Sequence, residues 1–126
     1  MKVSLIIIIV ISVMVCSCGA DSYENVSFSK QIKPILEDEC NQCHGEKEPA
    51  SGMILTKYRH FFNNENNNSN SPLVSPGKPN LSRLYVLIST NNEAVRMPPI
   101  SYGYDKMDKS DIKLIKTWIE EGARNN

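Results

Sequence analysis

Cys40-Asn41-Gln42-Cys43-His44 is the stretch on which the reading of this chain turns. Two cysteines three positions apart fall on one side of a helical turn, so both thiols point the same way. The histidine follows at once, and the turn swings its imidazole to that side. Thiols so spaced reach the two vinyl groups on one porphyrin edge, and the imidazole reaches the iron. The pentapeptide therefore reads as a site of covalent haem attachment, with Cys40 and Cys43 as thioether donors and His44 as an axial iron ligand. Other uses of the same residues fit less well. A zinc site wants four ligands, usually in two spaced pairs, and only His60 remains to join this one. A thioredoxin-type redox pair wants a preceding strand and an α/β pattern, and neither is visible.

Haem attachment of this kind goes with export, and the chain begins accordingly. Lys2 supplies a positive start, and residues 3–15 form an apolar run broken only by Ser4 and Ser12. That length suits a signal-peptide core and is short for a membrane span. The run ends in Val15-Cys16-Ser17-Cys18-Gly19, which resembles a bacterial lipobox: an aliphatic residue, a small one, then cysteine. In that pattern residues 1–17 are removed and Cys18 carries the lipid, two acyl chains being enough for a stable anchor. An ordinary cleaved signal, or an uncleaved anchor with Cys16 and Cys18 incidental, is the alternative.

The cysteine count then closes. Two of the four cysteines lie at the signal end and two in the haem motif, so none is left for a structural disulfide. An exported domain without such a framework needs another source of rigidity, and haem can supply it. Taking 17 residues from 126 leaves 109, enough for one small domain. The 14 basic residues balance the 14 acidic ones, with no basic stripe and no acidic tail. Nothing here favours nucleic acid as a partner.

Working outward from the motif, residues 18–25 read as a tether and 26–124 as the domain. Ser27 is placed to cap a helix whose Phe28, Ile32, Ile35 and Leu36 share one face. Pro34 begins a second helical segment after a kink, which runs to about Cys40. Residues 45–71 are mostly irregular, with Gly52-Met53-Ile54-Leu55 as a short apolar insertion against one haem edge. The asparagine-rich residues 63–71 hold nothing to bury and read as a mobile loop. Pro76-Gly77 marks a turn, and Asn80 or Ser82 caps a helix through about Ile88. Asp108 caps the last helix, with Asp111 in its first turn, Ile112, Ile115, Trp118 and Ile119 on its apolar face and Gly122 at its stop. Trp118 is expected to pack across the N-terminal helix and the haem rim.

The sixth iron ligand is the open chemical question. Met97-Pro98-Pro99 puts a thioether on a stiff extended loop, as an axial sulfur opposite His44 would require. Methionine is more commonly a flexible core filler, and Met53 and Met107 are rivals. His60 is the nitrogen alternative, although a histidine beside a polar loop is more often a surface or half-buried residue.

With these residues in place the chain resembles a small class I cytochrome c, and most nearly the planctomycete-type cytochrome c domain. The resemblance is carried by Ile32-x-Pro34-Ile35-Leu36, Cys40-x-x-Cys43-His44-Gly45, Gly52-x-x-Leu55 and Pro76-Gly77-x-Pro79 with Ser82-x-Leu84. It continues in Met97-Pro98-Pro99 and in Ile112-x-x-Ile115-x-x-Trp118-Ile119-x-x-Gly122-Ala123. The asparagine-rich insertion and the aromatic segment around His60 depart from the pattern. The resemblance implies an all-α haem domain with long irregular loops, one haem c, and His44 and Met97 as axial ligands.

The expectation is thus an exported, lipid-anchored monohaem cytochrome facing the periplasm or the cell surface, passing single electrons to a redox partner protein. No acid–base pair or assisted nucleophile suggests an enzyme. A haem-based sensor or gas binder with a displaceable sixth ligand is the second reading. A structural lipoprotein using haem for stability or docking is the third.

Overall fold

The computed structural model describes residues 23–62 and 72–126. The expected signal segment, Cys18, the first part of the tether and the loop at 63–71 lie outside the described residues. Among the described residues four α-helices carry the fold: α1 (Lys33–Glu39), α2 (Asn41–His44), α3 (Arg83–Ser89) and α4 (Lys109–Glu120). Short 3-10 turns join them, and the described residues contain no strand. No described helix is long and apolar enough to cross a membrane.

At the place of the expected N-terminal kink, a π-helical turn runs into α1 with helical backbone at Ile32 and Lys33. Phe28–Ile32 is a wide π-helical turn, capped by Ser27, whose Oγ accepts from the Lys30 amide at 3.4 Å. α1 then starts with Pro34 in its first turn, where a missing N–H costs nothing. Phe28, Ile32 and Leu36 are buried along this path and meet Ile115, Trp118 and Ile119 of α4 in one core.

α4 crosses the π-helical turn through aromatic contacts. The Trp118 ring lies 5.5 Å from Phe28, while Tyr58 meets Phe28 edge-on at 5.0 Å. Trp118 is fully buried, and its Nε1–H donates to the Arg124 carbonyl at 2.9 Å. The expectation for Trp118 is therefore half right. It packs on the N-terminal segment, with the Tyr58 ring also against it, but it does not line the cavity described below.

Ser82 holds the N-cap position of α3, yet its hydroxyl does not cap the helix. It is fully buried, accepts from the Ser75 amide at 2.8 Å and donates to the Lys78 carbonyl at 2.9 Å. One side chain thus ties off the Pro76-Gly77 turn. Gly77, at φ +75, donates its amide to the Ile119 carbonyl at 2.7 Å, which docks the turn onto the end of α4. Asp108 does cap α4, accepting from the Ser110 amide at 3.0 Å. These bonds from Ser110 hold its carboxyl below the usual range.

The two ends of the domain are joined. Glu121 accepts the amides of Asn25 and Val26 at 2.7 and 2.8 Å. Asn126 accepts from Phe28 through Oδ1 and from Ser29 through its carbonyl, both at 2.9 Å. Amides that a helix start leaves unpaired are thereby satisfied. Ordered contacts run to Asn126, past the expected domain end at 124.

Candidate functional site

The site is built where α1 hands over to α2. The Cys40 amide still donates to Leu36 at 3.0 Å, so the first cysteine ends α1. Its carbonyl accepts from the amides of Cys43 at 3.2 Å and His44 at 2.8 Å, starting a fresh turn. Gly45 then leaves the helix with extended backbone. A Cβ there would sit 2.7 Å from the Asn41 carbonyl oxygen, so this exit needs glycine.

His44 is held from both its ring and its backbone. Nδ1 lies 3.1 Å from the Met53 carbonyl, and the Leu55 amide donates to the His44 carbonyl at 2.8 Å. A carbonyl only accepts, so Nδ1 must carry the ring hydrogen. That leaves the Nε2 lone pair for a metal, the tautomer an axial ligand needs.

Cys40, Cys43 and His44 line a cavity of about 750 Å³. Cofactor pockets span roughly 300–1,000 Å³, so this one is large enough for a macrocycle. Leu55, Leu73, Leu84, Leu87 and Ile88 give it apolar walls, and Met97-Pro98-Pro99 forms another part of its lining. Met53 and Met107 line it too, so all three candidate methionines reach the same space. His60 does not line it. That ring is buried, with Nδ1 accepting from the Lys57 amide at 3.2 Å. Burial first, then Arg59 and Lys57, holds the His60 pKa below its ordinary value, in keeping with a neutral accepting ring.

The Met97 loop is pinned by a residue that spacing and periodicity leave without a role. Arg96 is buried, and its Nη1 donates to the carbonyls of Pro98 at 2.7 Å and Asp105 at 3.1 Å. Its Nη2 donates to Tyr104 at 2.8 Å. The Met97 amide donates to Leu87 at 3.0 Å, fixing the loop to α3. Tyr104 Oη reaches Gln42 Oε1 at 3.3 Å, linking the same loop to α2. A loop arginine carries no periodic signal; only its place before Met-Pro-Pro could have drawn attention to it.

The donor set fits a covalently held haem. Burial, with Glu39 and Cys43 nearby, pushes the Cys40 thiol up to about 12. A thiol held so far above neutrality is a poor nucleophile for disulfide exchange, whereas a thioether keeps its sulfur neutral. Among the described residues no three His, Cys, Asp or Glu side chains converge as a metal-ion site would require.

Residues 40–101 match the family model described as Planctomycete cytochrome C. No curated protein and no solved structure matches the chain. The matched stretch runs from the Cys40 turn through both prolines of the Met97 loop, and the described residues around it form helices and loops without a strand. Over residues 40–101 the chain is thus similar to the planctomycete cytochrome c family.

Proposed function

We propose that this protein is a lipid-tethered, monohaem carrier of single electrons, with His44 and Met97 as axial iron ligands. The observation that carries the reading is the His44 ring, fixed by Met53 with Nε2 left free at the wall of a cavity that Met97 also lines. Bound haem supplies a one-electron ferric–ferrous couple. Cys40 and Cys43 hold the group by two thioethers. The leucines and Ile88 keep water from its faces, and Met97 adds a sulfur ligand that raises the potential relative to two histidines. The partner is a redox protein docking transiently at the exposed edge, as small electron-transfer encounters do. Cys18 bears the lipid, and labelled palmitate should enter the wild-type chain but not Cys18→Ala. Equal labelling of that variant would remove the anchor from the account.

Ligation is tested on the holoprotein. A thioether on ferric iron gives a weak far-red to near-infrared charge-transfer band that bis-histidine ligation lacks. The band is expected in the wild type and in His60→Ala. Met97→Ala should lose it and have a lower potential, and its ferrous form should bind carbon monoxide readily. If Met97→Ala keeps both band and potential, the ligand is Met53 or Met107. If wild-type ferrous protein binds carbon monoxide readily, the gas-binding reading takes its place.

A further inference from the structure

Arg83 is the first residue of α3 and lines the haem cavity. Its Nη1 is buried and has no hydrogen-bond partner among the described residues. A guanidinium does not lose its proton in a protein, and a buried cation without a counter-charge is strongly disfavoured. Arg83 as a whole is half-buried, and its one enclosed, unpaired nitrogen marks a guanidinium short of an acceptor. The other side chains around the cavity do not provide it. Among the described residues that line the cavity Arg83 is the only lysine or arginine, and the carboxyl side chains with which it shares the space are those of Asp38, Glu39 and Glu48. None of these is within ion-pair distance of it among the described residues. Arg83 lines the cavity, so a group that fills it can bring the acceptor to the guanidinium.

We propose that Arg83 is a positioning residue that binds a propionate carboxylate of the haem and fixes which way that edge of the macrocycle lies. The proposal rests on the haem reading above. Haem brings two carboxylates, and a planar guanidinium fork matches a carboxylate better than any other side chain does. Leu84 and Leu87, which follow on α3, line the same cavity. One short helix would thus give the cofactor both an apolar wall and a charged grip. The charge also acts on the couple, because a nearby cation favours the reduced, less positive iron.

The test uses full-length holoprotein from cells with a cytochrome c maturation system. Haem that survives denaturing electrophoresis is confirmed first for each variant; its loss from the wild type would bring down the haem reading and this proposal together. Resonance Raman spectra then read the haem-propionate bending mode, whose frequency rises with hydrogen bonding to the propionate. Arg83→Gln should move the mode to lower frequency and lower the midpoint potential. Arg83→Lys, which keeps the charge and loses the fork, should shift the mode while restoring most of the potential. A merely structural arginine would not move a propionate mode. An Arg83→Gln holoprotein with mode and potential both unchanged overturns the proposal. Should that variant not accumulate, an unmoved mode in Arg83→Lys does the same.

Discussion

Trp118→Ala should lower the stability of the holoprotein by about 3–5 kcal/mol, the usual range for removing a buried aromatic ring. Trp118 is fully buried where α4 meets the π-helical turn, with the rings of Phe28 and Tyr58 against it. Its removal opens a cavity between two segments and frees the Arg124 carbonyl that Nε1–H satisfies. Domains of this size are stable by roughly 5–15 kcal/mol in all, so the loss is a large fraction of the total. Denaturant titration of both holoproteins reads it as a fall in midpoint at similar slope. Trp118→Phe should lose far less, since a ring remains. A loss below about 1 kcal/mol in the alanine variant would mean that this junction does not hold the domain together.

Arg96→Leu should cost about 2–4 kcal/mol and should act first on the Met97 loop. Three backbone carbonyls, those of Pro98, Tyr104 and Asp105, lose a charged donor at once, and hydrogen bonds to charged groups are the stronger kind. In the leucine variant the far-red band should disappear at a lower denaturant concentration than helix content does. In the wild type the two should be lost nearly together. Arg96→Lys should rescue little, because an ammonium is a point donor and cannot span three carbonyls as the fork does. Band and unfolding midpoints equal to wild type in Arg96→Leu would show that the loop is held by its prolines alone.

How much of this was legible beforehand depends on what kind of signal each residue leaves. The Cys40–His44 turn, Pro34 in the first turn of α1 and the Asp108 cap all act through their immediate neighbours, so sequence spacing exposes them. The buried face of α4 is legible too, through Ile115, Trp118 and Ile119, although Leu114 is buried beside them. Ser82 shows where local reasoning stops. It sits at the cap position, but its hydroxyl bonds Ser75 and Lys78, because the Pro76-Gly77 turn folds back onto it. Arg96 and Arg83 leave no local trace at all. One is defined by carbonyls up to nine residues away and the other by a cavity that α3 shares with α1 and α2. The aromatic segment at Tyr58–Phe61 looked like a departure from the family pattern. It supplies the rings around Phe28 and Trp118, so it belongs to the core rather than to the haem site.

Intact mass under denaturing conditions reads out the proposal that Cys40 and Cys43 hold one haem covalently. Mature protein made with a cytochrome c maturation system should weigh one haem more than the polypeptide with its lipid. Cys40→Ala and Cys43→Ala should each keep at most a single-thioether adduct, and the double variant should release all its haem on denaturation. A wild-type chain that sheds its haem when denatured, or a double variant that keeps it, would contradict the account.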